Sequence, residues 1–269
     1  MTQRVTWTAR DTNKQVSLSG SVPEIIEECD RIEARAKWRR PLLIGLFVVL
    51  TAGGFIVAVA LADLWLYAVA PLVVFAGGMA VMRVGTTNIE ARKLETIRTL
   101  LWTFADEMRP GRPVEVSLDF RGYWRFKAGE SWLTVKMTLA NGVTAQITGR
   151  STNKRKTKRK GGYLRTKDKL TEFLVVRLGP PKGQTLDAGL RIPVMDHPLG
   201  PLSLRQVKVR PRAATFVFST KQILRNAVGG YWAPTDRTAI PQGRDAVKAL
   251  ITSYQLLARA GGQAAAAAG

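Results

Sequence analysis

Two hydrophobic periods take turns along this chain, and between them lies a long run with no period at all. Val5 and Trp7 alternate with polar neighbours, as do Val16 and Leu18, with Asp11 and Asn13 as turn formers between them. That pattern predicts a short β-hairpin. The period then lengthens. Ser21 followed three residues later by Glu24 forms a capping box, Pro23 suits a first helical turn, and Ile25, Ile26, Cys29 and Ile32 make one apolar stripe. A second helical spacing links Ile89, Leu94, Ile97, Leu101, Trp102 and Phe104 and is ended by Arg109, Pro110 and Gly111.

Beyond Gly111 the period falls to two. Val114 to Phe120 and Trp132 to Leu139 alternate strictly, and Asn141-Gly142 is the strongest short hairpin signal in the chain, with Val143 to Thr148 as the returning strand. Further strands are expected at Thr171 to Leu178, Leu204 to Val209 and Ala214 to Ser219. Strands that follow one another without helices between them predict an antiparallel sandwich or small barrel. Val247, Leu250, Ile251, Tyr254 and Leu257 give a closing helix from about Gly243 to Ala260. The last residues, Gly261 to Gly269, are glycine and alanine rich and are expected to be a flexible tail.

The aperiodic run is Pro41 to Met82, where Asp63 is the single charge in 42 residues. Its two halves have helical rises of about 33 and 28 Å, each near the thickness of a bilayer core. The expected fold class is therefore an integral-membrane α-helical hairpin of two spans carrying a mainly-β cytoplasmic domain. Trp65 and Tyr67 suit the interface beside an Asp63 turn. Arg39 and Arg40 precede the first span and Arg83 follows the second, with Arg31, Arg35, Lys37, Arg92, Lys93 and Arg98 further out, so the positive-inside rule puts both termini in the cytoplasm. Gly54, Ala58 and Ala62 in one span, and Ala76 and Ala80 in the other, recur every four residues and suit close helix packing, within the hairpin or between copies in a homo-oligomer or larger assembly. The domain plan that follows is a hairpin and juxtamembrane helix over 1–40, the spans over 41–82, a helix over 83–112, a basic β-rich domain over 113–260, and the tail.

Charge sharpens this picture. Lys and Arg number 41 against 20 Asp and Glu, a formal +21. The excess is concentrated in Arg150, Lys154, Arg155, Lys156, Lys158, Arg159, Lys160, Arg165, Lys167 and Lys169, opposed only by Asp168. From Thr152 to Gly162 there is no apolar residue, so the run is expected to be an exposed loop between two strands. Anionic lipid headgroups or an acidic partner are the expected contacts. Nucleic acid is the alternative, less favoured because only Tyr163 offers a stacking ring.

Candidate chemistry is sparse. One His and one Cys leave no zinc or disulfide framework, and no metal or cofactor is expected. Cys29 sits on an apolar stripe without a histidine and reads as packing. Ser151 and Lys154 have the S-x-x-K spacing of an acyl enzyme but open the basic run. Gly179 to Thr185 lacks the G-K-[ST] ending of a phosphate loop, Asp196-His197 has no second histidine, and nothing pairs Asp187 with Asp196. The expected function is a non-enzymatic membrane scaffold or anchor subunit. A membrane-tethered nucleic-acid binder, in DNA handling or defence, is the alternative.

Overall fold

The computed structural model describes residues 15–34, 45, 48, 49, 52, 91–120, 130–160, 163–194, 198–220, 223–228, 231–234 and 241–268. Its contacts divide the chain into two units, one of residues 1–26 with 92–269 and one of residues 27–91.

The larger unit is built on one antiparallel sheet. Its strands are β1 (Gln15–Gly20), β2 (Val114–Asp119), β3 (Ser131–Thr138), β4 (Thr144–Lys160), β5 (Tyr163–Gly179), β6 (Pro198–Leu199), β7 (Leu202–Arg210), β8 (Ala213–Thr220), β9 (Ile223–Val228) and β10 (Tyr231–Pro234). They pair in the order β1-β2-β3-β4-β5-β8-β7-β6, and β9 joins β5 beyond the end of β8 and carries β10. Helix α1 covers residues 22–34, α2 is Ala91–Phe104 and α3 is Gly243–Ala268.

Alternation decides which face is the core. On β4, Ala145, Ile147, Gly149 and Ser151 are buried, whereas Thr144, Arg150 and Lys154 are exposed. On β5, Leu170, Leu174, Val176 and Leu178 are buried and Arg177 is exposed. Leu133 and Val135 on β3, Phe216 and Phe218 on β8, and Leu94, Ile97 and Leu101 on α2 complete an apolar inner layer. Helix α3 packs on β5, β6 and β8, burying Ala246, Ala249 and Leu250. The outer face is polar.

Local chemistry explains the ends of these elements. The Glu24 carboxylate accepts from the Ser21 amide at 2.9 Å, and that bond lowers its pKa below the ordinary carboxylate value. This is half of the expected capping box. Gly142 has φ +82°, the Gly142 amide donates to the Leu139 carbonyl, and the Val143 amide donates to Asn141 Oδ1 at 3.1 Å, so the Asn-Gly turn is as expected. At the start of α3 the buried Asp245 accepts from the Gln242 amide at 2.8 Å. That helix was expected to end near Ala260 but runs to Ala268, because alanine is the strongest helix former and carries it through the Gly261-Gly262 pair.

In the second unit, residues 27–34 continue a helix in which Arg31 bridges Glu27 at 2.6 Å and Glu28 at 3.2 Å. The Glu27 charge raises the Arg31 pKa. Cys29 is fully buried, as a packing residue.

Two expectations need correction. Among the described residues no helix is long and apolar enough to cross a membrane. The two-span fold class, the integral-membrane localisation and the assignment of both termini to the cytoplasm therefore lose their support. Hydropathy registers a demand for burial without specifying what provides it. Arg39, Arg40, Gly54, Ala58, Ala62, Ala76, Ala80 and Arg83 lie outside the described residues, as do Val5 and Trp7. Second, Arg92 and Lys93, counted as orienting charges, belong to the sheet unit, where Lys93 is fully buried. The first strand of the expected N-terminal hairpin lies outside the described residues, and β1 pairs with β2, from Gln15↔Asp119 to Gly20↔Val114.

A candidate anion-binding face

The basic run is not a loop. Strands β4 and β5 are paired without interruption over 17 residues each, from Thr144↔Gly179 to Lys160↔Tyr163. Only Gly161 and Gly162 separate them, and a Gly-Gly pair between two runs is a two-residue hairpin signal. Threonines at 152, 157, 166 and 171 favour strand. The polar composition masked that signal because no apolar residue marks the period.

Register sorts the ten cations onto two faces. Because residues directly across a ladder share a face, Lys154↔Lys169, Lys156↔Lys167, Lys158↔Arg165 and Lys160↔Tyr163 fall together. This is the face on which Thr144, Arg150 and Lys154 are exposed. The opposite face holds Arg155↔Asp168, Thr157↔Thr166 and Arg159↔Leu164. Register thus places seven ribbon cations on one face, with Arg150 as an eighth, and three of the cross-strand pairs set like charges at directly opposite positions, an arrangement that destabilises a ladder. The single Asp lies on the other face. From Lys154 to Lys160 the face extends about 20 Å.

The same face of the sheet stays cationic away from the ribbon. Arg177 on β5, with Lys208 and Arg210 on β7 and Arg212 in the β7–β8 turn, is exposed beside Arg205, whose Nε donates to Ser219 Oγ at 3.3 Å. Glu115 lines a depression together with Arg177 and Arg212, and Lys136 holds it at 3.0 Å.

Beneath the sheet lies a buried polar cluster that sequence reasoning missed. Glu172, 1% exposed, accepts from Ser151 Oγ at 3.0 Å, faces the Arg92 guanidinium at 3.6 Å, and donates its amide to Thr220 Oγ1 at 3.2 Å. Arg92 also donates to the Pro241 carbonyl at 3.0 Å and sits 5.3 Å from the centre of the Trp132 ring. Lys93 donates to the Asp119 carbonyl at 2.8 Å and lies 5.8 Å from the same ring. A usable signal did exist: Glu172 interrupts the inward series Leu170, Leu174, Val176 and Leu178.

The ring of Trp132 occupies the space where Gly149 lacks a side chain, since a Cβ there would lie 2.6 Å from two ring atoms. Gly149→Ala should therefore cost about 1–3 kcal/mol by overpacking a site whose backbone cannot yield. Urea denaturation measures it, and an unchanged midpoint would mean the ring has room to move.

The geometry also separates the enzyme-like motifs. Residues three apart on a strand face opposite ways, so Ser151 points inward to Glu172 while Lys154 is exposed on the far side. Asp187 Oδ1 is taken by the Gly189 amide at 2.8 Å in a turn. Gly183 has φ +87° in an irregular segment where the described residues form no helix through Val194. Asp196 and His197 lie outside the described residues. Compared with protein-family models, with curated proteins and with solved structures, the chain has no match.

Proposed function

We propose that the chain is a non-enzymatic binding scaffold whose cationic ribbon holds a polyanion, and that this polyanion is duplex nucleic acid. The observation that carries the reading is the register, which gathers eight of the ten cations on one face, seven of them on the ribbon beyond Arg150. Like charges held opposite one another raise the energy of the free domain, and a dense row of phosphates relieves that repulsion. A two-stranded ribbon also matches the major groove of B-form DNA, which is about 12 Å wide and admits such a ribbon. Along it, duplex DNA offers one phosphate charge per about 1.7 Å of axis. The case for lipid headgroups rested on a membrane hairpin holding the domain at the leaflet, which no described helix provides. Acidic protein remains a weaker fit, because carboxylates seldom repeat at such density.

Fluorescence anisotropy of the full chain with a 20-base-pair duplex, between 50 and 200 mM salt, tests this. With the seven ribbon cations of that face engaged, the slope of log K against log salt is expected to be about −6. A slope near zero, or equal binding to phosphatidylserine vesicles or polyglutamate at matched charge, overturns the assignment to nucleic acid.

A further inference from the structure

A second cationic feature is independent of the ribbon. On the outer face of β5, β7 and β8 a concavity of about 540 Å³ is walled by Arg177, Lys208, Arg210 and Arg212, with Gln206 and Thr215 between them and Val217 on the floor. Topology explains the convergence. Thr215 on β8 pairs with Arg177 on one side and Lys208 on the other, so these two cations flank it. Arg210 pairs with Ala213 across the hairpin end that carries Pro211 and Arg212. The Leu186 amide donates to the Pro211 carbonyl at 2.9 Å and holds that turn in place.

No carboxylate lines this concavity, and none of its four cations has an ion-pair partner among the described residues. A smaller depression of about 380 Å³ adjoins it through Arg177, Arg212 and Ala213, and its one carboxylate, Glu115, is engaged by Lys136. Three guanidiniums and an ammonium around one hollow repel each other unless an anion joins them. The guanidinium fork is suited to phosphate, which it grips through two parallel hydrogen bonds. Gln206 and Thr215 supply neutral donors, and the apolar floor suits the body of an organic phosphate. The volume lies within the range of small-ligand sites.

We infer that the concavity formed by Arg177, Lys208, Arg210 and Arg212 is a binding site for a phosphate or diphosphate group. That group comes either from a free phosphorylated ligand or from the backbone of a nucleic acid lying across the sheet. The site does not depend on the ribbon's function.

The test is calorimetric titration of the full chain with inorganic pyrophosphate. Saturable one-to-one binding is expected, weakened about tenfold or more in Arg177→Gln/Arg212→Gln and likewise in Lys208→Gln/Arg210→Gln, since each variant removes two charge-assisted contacts. All four substituted residues are exposed strand or turn positions, and thermal melting checks that each variant folds. Should one variant fail to fold, the other carries the test. The ribbon variant Lys154→Gln/Lys156→Gln/Lys158→Gln/Lys160→Gln is expected to bind pyrophosphate as the parent does. In that ribbon variant, displacement of pyrophosphate by a 20-base-pair duplex assigns the phosphate to nucleic acid, and persistence assigns it to a free ligand; both uphold the site. Absence of saturable binding, or binding indifferent to both pairs of substitutions, overturns it.

Discussion

Replacing Lys154, Lys156, Lys158 and Lys160 with glutamine is expected to flatten the salt dependence of duplex binding from about −6 to about −3, because each phosphate contact contributes roughly 0.9 to the slope. Arg155→Gln/Arg159→Gln removes two charges from the same strand but from its opposite face, and should leave the slope nearly unchanged. The comparison separates a directed surface from bulk charge. A loss in the two-arginine variant about half that of the four-lysine variant, in proportion to the charge removed, would mean that register is irrelevant and only net charge matters. Stability should hold or rise in the four-lysine variant, since three cross-strand like-charge pairs disappear with it. A lowered melting temperature would show that the lysines support the ladder in some other way.

The second large effect is on folding. Glu172→Ala leaves the Arg92 guanidinium without the carboxylate 3.6 Å away, and it leaves the Ser151 hydroxyl without its acceptor, in a place 1% exposed. Removing one member of a buried pair costs about 3–5 kcal/mol, mostly from the charge left behind. Glu172→Gln keeps an acceptor for Ser151 and should lose less. The double variant Glu172→Met/Arg92→Met should recover much of the loss, because it removes both charges together. Denaturant midpoints read all three. A cost below about 1 kcal/mol for the alanine variant would indicate that water reaches Arg92 and replaces the carboxylate.

Much of the fold was legible where apolar residues marked a period. The alternation of Val114, Val116 and Leu118, the Asn141-Gly142 turn, the Ser21–Glu24 cap and the stripe on α3 all convert directly into observed elements. The ribbon was hidden because its cations alternate only with other polar residues, so its two-residue period carries no hydrophobic signal. Strands β9 and β10 were missed for a different reason. Ile223 to Val228 is short and mixed, and it becomes a strand through pairing with β5, a partner more than fifty residues away in sequence. The same distance hid the Arg92–Glu172 pair, whose members meet across 80 residues. The apolar run over 41–82 reads as two spans from its length and its near-absence of charge, and no described helix meets that description.

Beyond Arg150, β4 has β5 as its neighbour on one side, and among the described residues it has none on the other. A strand edge that nothing covers would expose amides and carbonyls that a second copy of the chain could extend. Lysines repeated along it keep copies apart, and charge on an edge strand is a known safeguard against templated self-association. That safeguard is electrostatic and therefore conditional. The screening length falls from about 8 Å at physiological ionic strength to about 3 Å at 1 M salt, and polyanions neutralise the lysines outright. Edge-to-edge association is therefore expected to depend on ionic surroundings, opposed while the lysines are bare and favoured where their charge is matched and the edge is left uncovered.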